Sequence, residues 1–236
     1  MSFSQLNIDA FRTINDLGKQ YQFLNPTMVF VAEYTVYLLA LIIVFYWFTR
    51  SDKNRMMVIH AMLAFVIAEV IGKIVGQFHS HYQPFAVLPD VNKLVNHEID
   101  NSFPSDHTIL FFSICFSFWF VRRKEWWLWP VLATCVGISR IWVGVHYPVD
   151  VAVGALIGIF SALLLYRFAP KLSFLPKLLA LYEKGERYIL PSKEKKNEML
   201  ERAKLESTEV DEPVHKQVAQ EKLNYLEEKG RKKLER

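Results

Sequence analysis

Arg140, His146 and Asp150 follow one another at the break between two apolar segments. A fixed cation, an imidazole and a carboxylate are costly near a bilayer and usually mark function there. His146 and Asp150 are four residues apart. If a helix begins by Tyr147, they stack on one face. The carboxylate can then hold one ring nitrogen and leave the other as a lone-pair nucleophile. His107 supplies a second imidazole, available as a general acid. Lys73 and Arg140 are permanent cations suited to phosphate oxygens. Pro104 and Ser105 open another apolar segment. Proline is tolerated in a first helical turn, and the free N–H groups there form an anion site. Cations, a helix N-terminus, an oriented histidine and a second histidine together describe phosphoryl transfer through a phosphohistidine.

Apolar helices must position these groups. Five near-uncharged runs approach the ~20 residues needed to cross a bilayer. They cover about Pro26–Phe48, Met56–Phe78, Phe103–Val121, Trp126–Val143 and Val149–Phe168. The pattern predicts an all-α integral membrane protein, a helical bundle of five or six spans. Residues 1–25 place Leu6, Ile8, Phe11, Ile14, Leu17, Tyr21 and Phe23 at roughly helical spacing. They form an amphipathic N-terminal helix that either lies on the membrane or packs on the bundle. Residues 26–170 are the membrane-embedded domain. Residues 171–236 carry 16 Lys/Arg and 13 Asp/Glu. They read as a charged tail, mainly helical or partly disordered, with Pro191 and Pro213 as breaks.

Lys and Arg set the orientation. Arg50, Lys53 and Arg55, then Arg122, Arg123 and Lys124, then Arg167, Lys171 and Lys177 mark alternate connections. The intervening stretch 79–102 has only Lys93 against Asp90, Glu98 and Asp100. The positive-inside rule puts the basic connections and the tail in the cytoplasm. It also puts Lys73, His79, His81, Gln83, Ser105, His107, Arg140, His146 and Asp150 at the opposite, outward face. The tryptophans Trp47, Trp119, Trp126, Trp127 and Trp129 gather near the cytoplasmic side. No cleavable leader pattern is visible in residues 1–20.

Other features have plainer readings. Lys73 can pair with Glu69, one turn deeper, as polar glue. Glu33 is the only charge in its span and reads as structural. His79, His81 and His97 fit no metal-ligand spacing. Cys115 and Cys135 read as small buried hydrophobes, with neither disulfide nor metal. Gly154 and Gly158 have the small-x-x-x-small spacing of closely packed membrane helices. A net charge of +4, mixed in sign along the tail, gives no nucleic-acid surface.

Pro104-Ser105-Asp106-His107 resembles the Pro-Ser-Gly-His motif of the type 2 phosphatidic acid phosphatase superfamily. Ser139-Arg140 followed by His146 and Asp150 is similar to that superfamily's third motif, with its spacing kept. The resemblance covers about residues 25–170. Within the superfamily it is closest to undecaprenyl-diphosphate phosphatases of the bacitracin-resistance type. It implies that His146 attacks the terminal phosphorus, with Asp150 orienting it. His107 would protonate the departing lipid phosphate. Arg140, Ser105, Lys73 and the backbone amide of Asp106 would hold phosphoryl oxygens, without metal or cofactor. Gln83 stands where the first motif has arginine and provides neither charge nor a bidentate fork. His79, His81 or Lys93 would then compensate. The implied substrate is undecaprenyl diphosphate in a bacterial plasma membrane, its hydrolysis recycling the cell-wall carrier and conferring bacitracin resistance. The alternatives are a phosphatidic acid or phosphatidylglycerophosphate phosphatase, and a non-enzymatic transporter or bacitracin exporter. No internal repeat or nucleotide-binding loop favours the last.

Overall fold

The computed structural model describes residues 2–123, 127–189, 199–205 and 213–231. Lys124, Trp126 and Pro191 lie outside them. The described secondary structure is helical throughout: α1 Phe3–Asn15, α2 Leu17–Gln20, α3 Asn25–Glu33, α4 Thr35–Phe48, α5 Asp52–Phe78, α6 Pro84–Val87, α7 Asp106–Val121, α8 Leu128–Trp142, α9 Pro148–Phe168, α10 Phe174–Ile189, α11 199–205 and α12 Pro213–Arg231. The chain divides into two compact units, Met1–Pro176 and Lys177–Arg236, with the boundary inside α10.

Helix α5 and the stretch Pro148–Lys171 are each long and apolar enough to cross a membrane. The predicted first span is broken. Gln22–Glu33 and Thr35–Phe48 together pass the same test but bend by 44°. Neither proline nor glycine sits at the bend. Instead the Thr35 hydroxyl donates to Val31 O at 2.5 Å, and Arg140 Nη1 donates to Ala32 O at 3.1 Å. Side chains that take carbonyls from the helical ladder bend a helix in this way. α7 and α8 are shorter than the predicted third and fourth spans, at 16 and 15 residues.

α5, α7 and α9 make the most extensive contacts in the first unit, and α8 packs on α7. The largest core cluster joins Leu39, Met57, Ala61, Phe111, Cys115, Phe118, Trp129 and Val136. Glycines decide how closely α9 approaches α7. A Cβ on Gly154 would meet Ser105 O at 2.9 Å, and one on Gly158 would meet Phe112 Cβ and Ser113 N at 2.8 Å. Small residues allow this backbone contact. Cys115 is buried as expected, but Cys135 is exposed on the outer side of α8. An apolar run on a membrane helix need not face inward, because lipid accepts the same side chains.

The basic connections meet at one end. Arg122 Nη1 donates to Asn54 Oδ1 at 3.2 Å and stacks over Tyr46, with its guanidinium carbon 4.8 Å from the ring centroid. Arg55, read from sequence as a loop cation, is buried. Its Nε donates to Trp47 O at 3.2 Å, a carbonyl left open by the end of α4.

Candidate active site

The turn carrying His146 is fixed from both sides. α8 ends in a Schellman motif: Val145 N donates to Arg140 O at 3.2 Å and Gly144 N to Ile141 O at 3.1 Å. Gly144 occupies the left-handed position with φ +87°, and a Cβ there would meet Val91 Cγ1 at 2.8 Å and Asn92 O at 3.0 Å. Fully buried Asn15 of α1 donates to Trp142 O at 2.8 Å and to Asn92 O at 3.1 Å, and accepts from Asn92 N at 2.9 Å. On the other side, Asn7 Oδ1 accepts from Val149 N at 3.2 Å, and the Phe11 ring packs on Tyr147 at 5.6 Å. The N-terminal helix thus packs on the turn, and Lys19 anchors the next segment to Asp90 at 2.8 Å.

Pro148 begins α9, so Asp150 falls in its first turn. Asp150 Oδ2 accepts from Tyr147 N at 2.8 Å, a carboxylate capping the helix start. The same oxygen accepts from the Ser102 hydroxyl at 2.7 Å. Its other oxygen lies 3.0 Å from His81 Nε2, at ion-pair distance but without hydrogen-bond alignment.

His146 Nδ1 is 3.7 Å from Asp150 Oδ2, an ion-pair rather than a hydrogen-bond separation. Its nearest partner is the Ser102 carbonyl, at 2.9 Å. A carbonyl can only accept, so Nδ1 carries the proton and Nε2 keeps its lone pair. Burial pushes the His146 pKa below its ordinary value, opposed by the Asp150 carboxylate. The neutral ring is therefore the favoured form.

Ser105 precedes α7 and is buried; its amide donates to Asp150 O at 3.2 Å. Its hydroxyl accepts from Thr108 Oγ1 at 3.0 Å, which leaves the Ser105 O–H free to donate. The first i→i−4 bond of α7 starts at Ile109 N, so the Asp106 and His107 amides stand at the open helix end. Asp106 is exposed and His107 half-buried. His107 lies in one electrostatic neighbourhood with Arg140, His146 and His97. The His97 and His146 rings are 6.3 Å apart. Arg140 is buried.

Lys73 and Gln83 differ in how far the protein itself uses them. Lys73 is exposed on α5, where Glu69 one turn earlier is its charged neighbour, and it makes no ion pair among the described residues. Gln83 is fully buried, and both ends of its amide are used on Asp100. Its Nε2 donates to Asp100 Oδ1, and Asp100 N donates to its Oε1 at 3.2 Å. Three contributors escaped the sequence reading: Ser102, His81 as an Asp150 partner, and Glu33, which lies 3.0 Å from Arg140 Nη1. Glu33 carried a signal as the lone charge of an apolar span, and His81 by its place at the same outward face as His146 and Asp150.

An all-α, multi-pass bundle that converges an arginine, two histidines and a helix N-terminus at one end is that of an integral membrane protein. The chain belongs to the PAP2 superfamily, which matches residues 56–174. It is 65% identical over 198 residues to the bacitracin transport permease protein BcrC of Bacillus licheniformis, covering 84% of this chain and 98% of that one. It is 33% identical over 179 residues to the undecaprenyl-diphosphatase BcrC of Bacillus subtilis, covering 75% and 92%. The crystal structure of Aquifex aeolicus LpxE is similar with a TM-score of 0.58 and 28% identity, over 69% of this chain and 95% of that one. A phosphatidylglycerolphosphate phosphatase of PAP2 type from Bacillus subtilis shares the fold, with a TM-score of 0.52 and 23% identity.

Proposed function

We propose that the protein hydrolyses undecaprenyl diphosphate to undecaprenyl phosphate and inorganic phosphate through a phosphohistidine on His146. The observation that carries this reading is the Ser102 carbonyl at His146 Nδ1, which leaves Nε2 as the nucleophile. In the first step Nε2 bonds to the terminal phosphorus and the bridging P–O bond breaks. His107 gives its proton to the leaving lipid phosphate. Arg140, Ser105, Lys73 and the α7 amides at Asp106 and His107 stabilise charge on the phosphoryl oxygens. Gln83 stays outside this set, its amide being taken by Asp100. In the second step water attacks the phosphorus, His107 accepts its proton, and the P–N bond breaks. Asp150 stabilises the imidazole throughout. The reaction is one that needs no metal.

The site opens outward and the tail is cytoplasmic in this reading, with five spans: the bent α3/α4 pair, α5, α7, α8 and α9. At ~1.5 Å per residue, α7 is about 24 Å long against a hydrocarbon core of ~30 Å. With its N-terminus as the end that falls short of the surface, a diphosphate head enters there while its polyprenyl chain stays in lipid. Recycling of the carrier would confer bacitracin resistance. The decisive experiment is phosphate release from purified protein on a panel of lipid diphosphates and monophosphates, with acid-labile phosphoprotein trapped by rapid quench. Undecaprenyl diphosphate should be preferred, and His146→Ala should give neither phosphate nor phosphoprotein. Preference for phosphatidic acid or phosphatidylglycerophosphate would reassign the substrate. The name of the Bacillus licheniformis relative motivates a second reading, transport of bacitracin. Bacitracin efflux from proteoliposomes without any phosphate release would establish that one.

A further inference from the structure

Arg140 is buried at 1% exposure, yet its guanidinium is only partly used by the protein. Nη1 donates to Ala32 O at 3.1 Å and to Glu33 Oε1 at 3.0 Å. Nε is buried and has no hydrogen-bond partner among the described residues. All of the hydrogen bonds that Arg140 makes to the described residues therefore lie at one corner of the fork. That corner is built by the break in the first span. α3 stops at Glu33, so its last carbonyls lack intrahelical donors and carry the negative end of the helix dipole. The carboxylate of Glu33, 39% exposed, adds a full charge at the same place. Both elements precede residue 56, where the family match begins.

We infer that Glu33 is a positioning residue: with the Ala32 carbonyl it pins the Nη1 corner of Arg140 and so aims the unpartnered Nε–H edge at a phosphoryl oxygen. This rests on Arg140 being a phosphate ligand, as proposed above. A guanidinium is planar and rigid, so fixing one corner fixes the direction of every other N–H. Without Glu33, the fork can turn about its long side chain, and the order needed for phosphate must be gained on binding. The carboxylate also compensates a charge that would otherwise stand unpaired in a buried place when no anion is bound.

Charge and geometry make opposite demands, which separates this role from simple ion pairing. Glutamine keeps an oxygen that accepts from Nη1 but removes the negative charge. Alanine removes both. The experiment measures orthovanadate affinity by isothermal titration of detergent-purified full-length protein, alongside kcat/KM on lipid diphosphate and the thermal midpoint. Glu33→Ala should weaken orthovanadate about tenfold, the equivalent of one lost oriented contact, and lower kcat/KM in step. Glu33→Gln should recover most of that loss. A merely structural residue would lower the thermal midpoint in both variants and leave orthovanadate affinity unchanged. Arg140→Ala is the reference. If it binds orthovanadate like the native protein, the phosphate role of Arg140 itself fails. If Arg140→Ala weakens binding and Glu33→Ala does not, the positioning role alone is overturned. Should Glu33→Ala not fold, Glu33→Asp replaces it. One methylene shorter, it should bind more weakly than Glu33→Gln, and the reverse order overturns the inference.

Discussion

The carbonyl of Ser102 stands 2.9 Å from Nδ1 of His146, 44 residues further along the chain, and the hydroxyl of the same serine reaches Asp150 at 2.7 Å. One residue thus touches both the ring and its carboxylate. Ser102→Ala keeps the carbonyl and deletes the hydroxyl. A hydrogen bond to a charged group contributes about 1.5–3 kcal/mol. The expected result is a kcat lower by about tenfold, from that energy spread between stability and alignment, with KM nearly unchanged. Steady-state kinetics decide it. An unchanged kcat would show that the carbonyl orients the ring unaided.

The His146 pKa is lowered in the folded protein, chiefly by burial. The unfolded value is about 6.5. Between the two values the unfolded chain binds more protons, so stability rises with pH there. The contribution is fully present above about 6.5 and is lost as pH falls toward the folded value. The proposed nucleophile, His146, stays neutral over the same range. The acidic limb of kcat/KM should therefore fall below pH ~6.5, where an ordinary histidine would place it. A pH–rate profile beside thermal midpoints of the native protein and His146→Gln tests both halves. A limb above 6.5 would contradict the lowered pKa.

Gly144→Ala combines two penalties. The backbone has φ +87°, and the new Cβ would sit 2.8 Å from Val91 Cγ1 and 3.0 Å from the rigid Asn92 carbonyl. Strain of this kind costs about 1–3 kcal/mol. Because His146 is two residues on, activity should fall by more than the folded fraction does. Circular dichroism melts paired with specific activity would reveal the difference.

Asn15→Ala removes the donor that satisfies the Trp142 and Asn92 carbonyls. Leaving such buried groups unpaired costs about 1–3 kcal/mol. The thermal midpoint should drop and kcat should fall, since the His146 turn rests on α1. A lower midpoint with native kcat would confine α1 to stability.

Much was legible in the sequence because it depends on local spacing. The four-residue step from His146 to Asp150 puts both at one helix start. Pro148 marks where α9 begins, Ser105 immediately precedes α7 with Pro104 outside its first turn, and apolar runs mark the bundle. The boundaries of the first, third and fourth spans were less legible. Apolar flanks that leave the helix look the same as apolar residues within it, and the bend at Tyr34 is caused by Thr35 and by Arg140, which is far away in the chain.

The sequence by itself determined which chemical groups exist and which segments carry them: two imidazoles, an arginine, a carboxylate and glycines at close-packing spacing. Tertiary structure alone decided their partners. Ser102, rather than Asp150, is nearest to His146; Asp100 takes the amide of Gln83; Glu33 meets Arg140. Hydrogen bonds act over about 3 Å, whereas these partners are separated by 17, 44 and 107 residues of chain. Their meeting is set by how closely α9 packs on α7 at Gly154 and Gly158 and by how the 79–102 segment folds over the helix ends, and no local spacing encodes either.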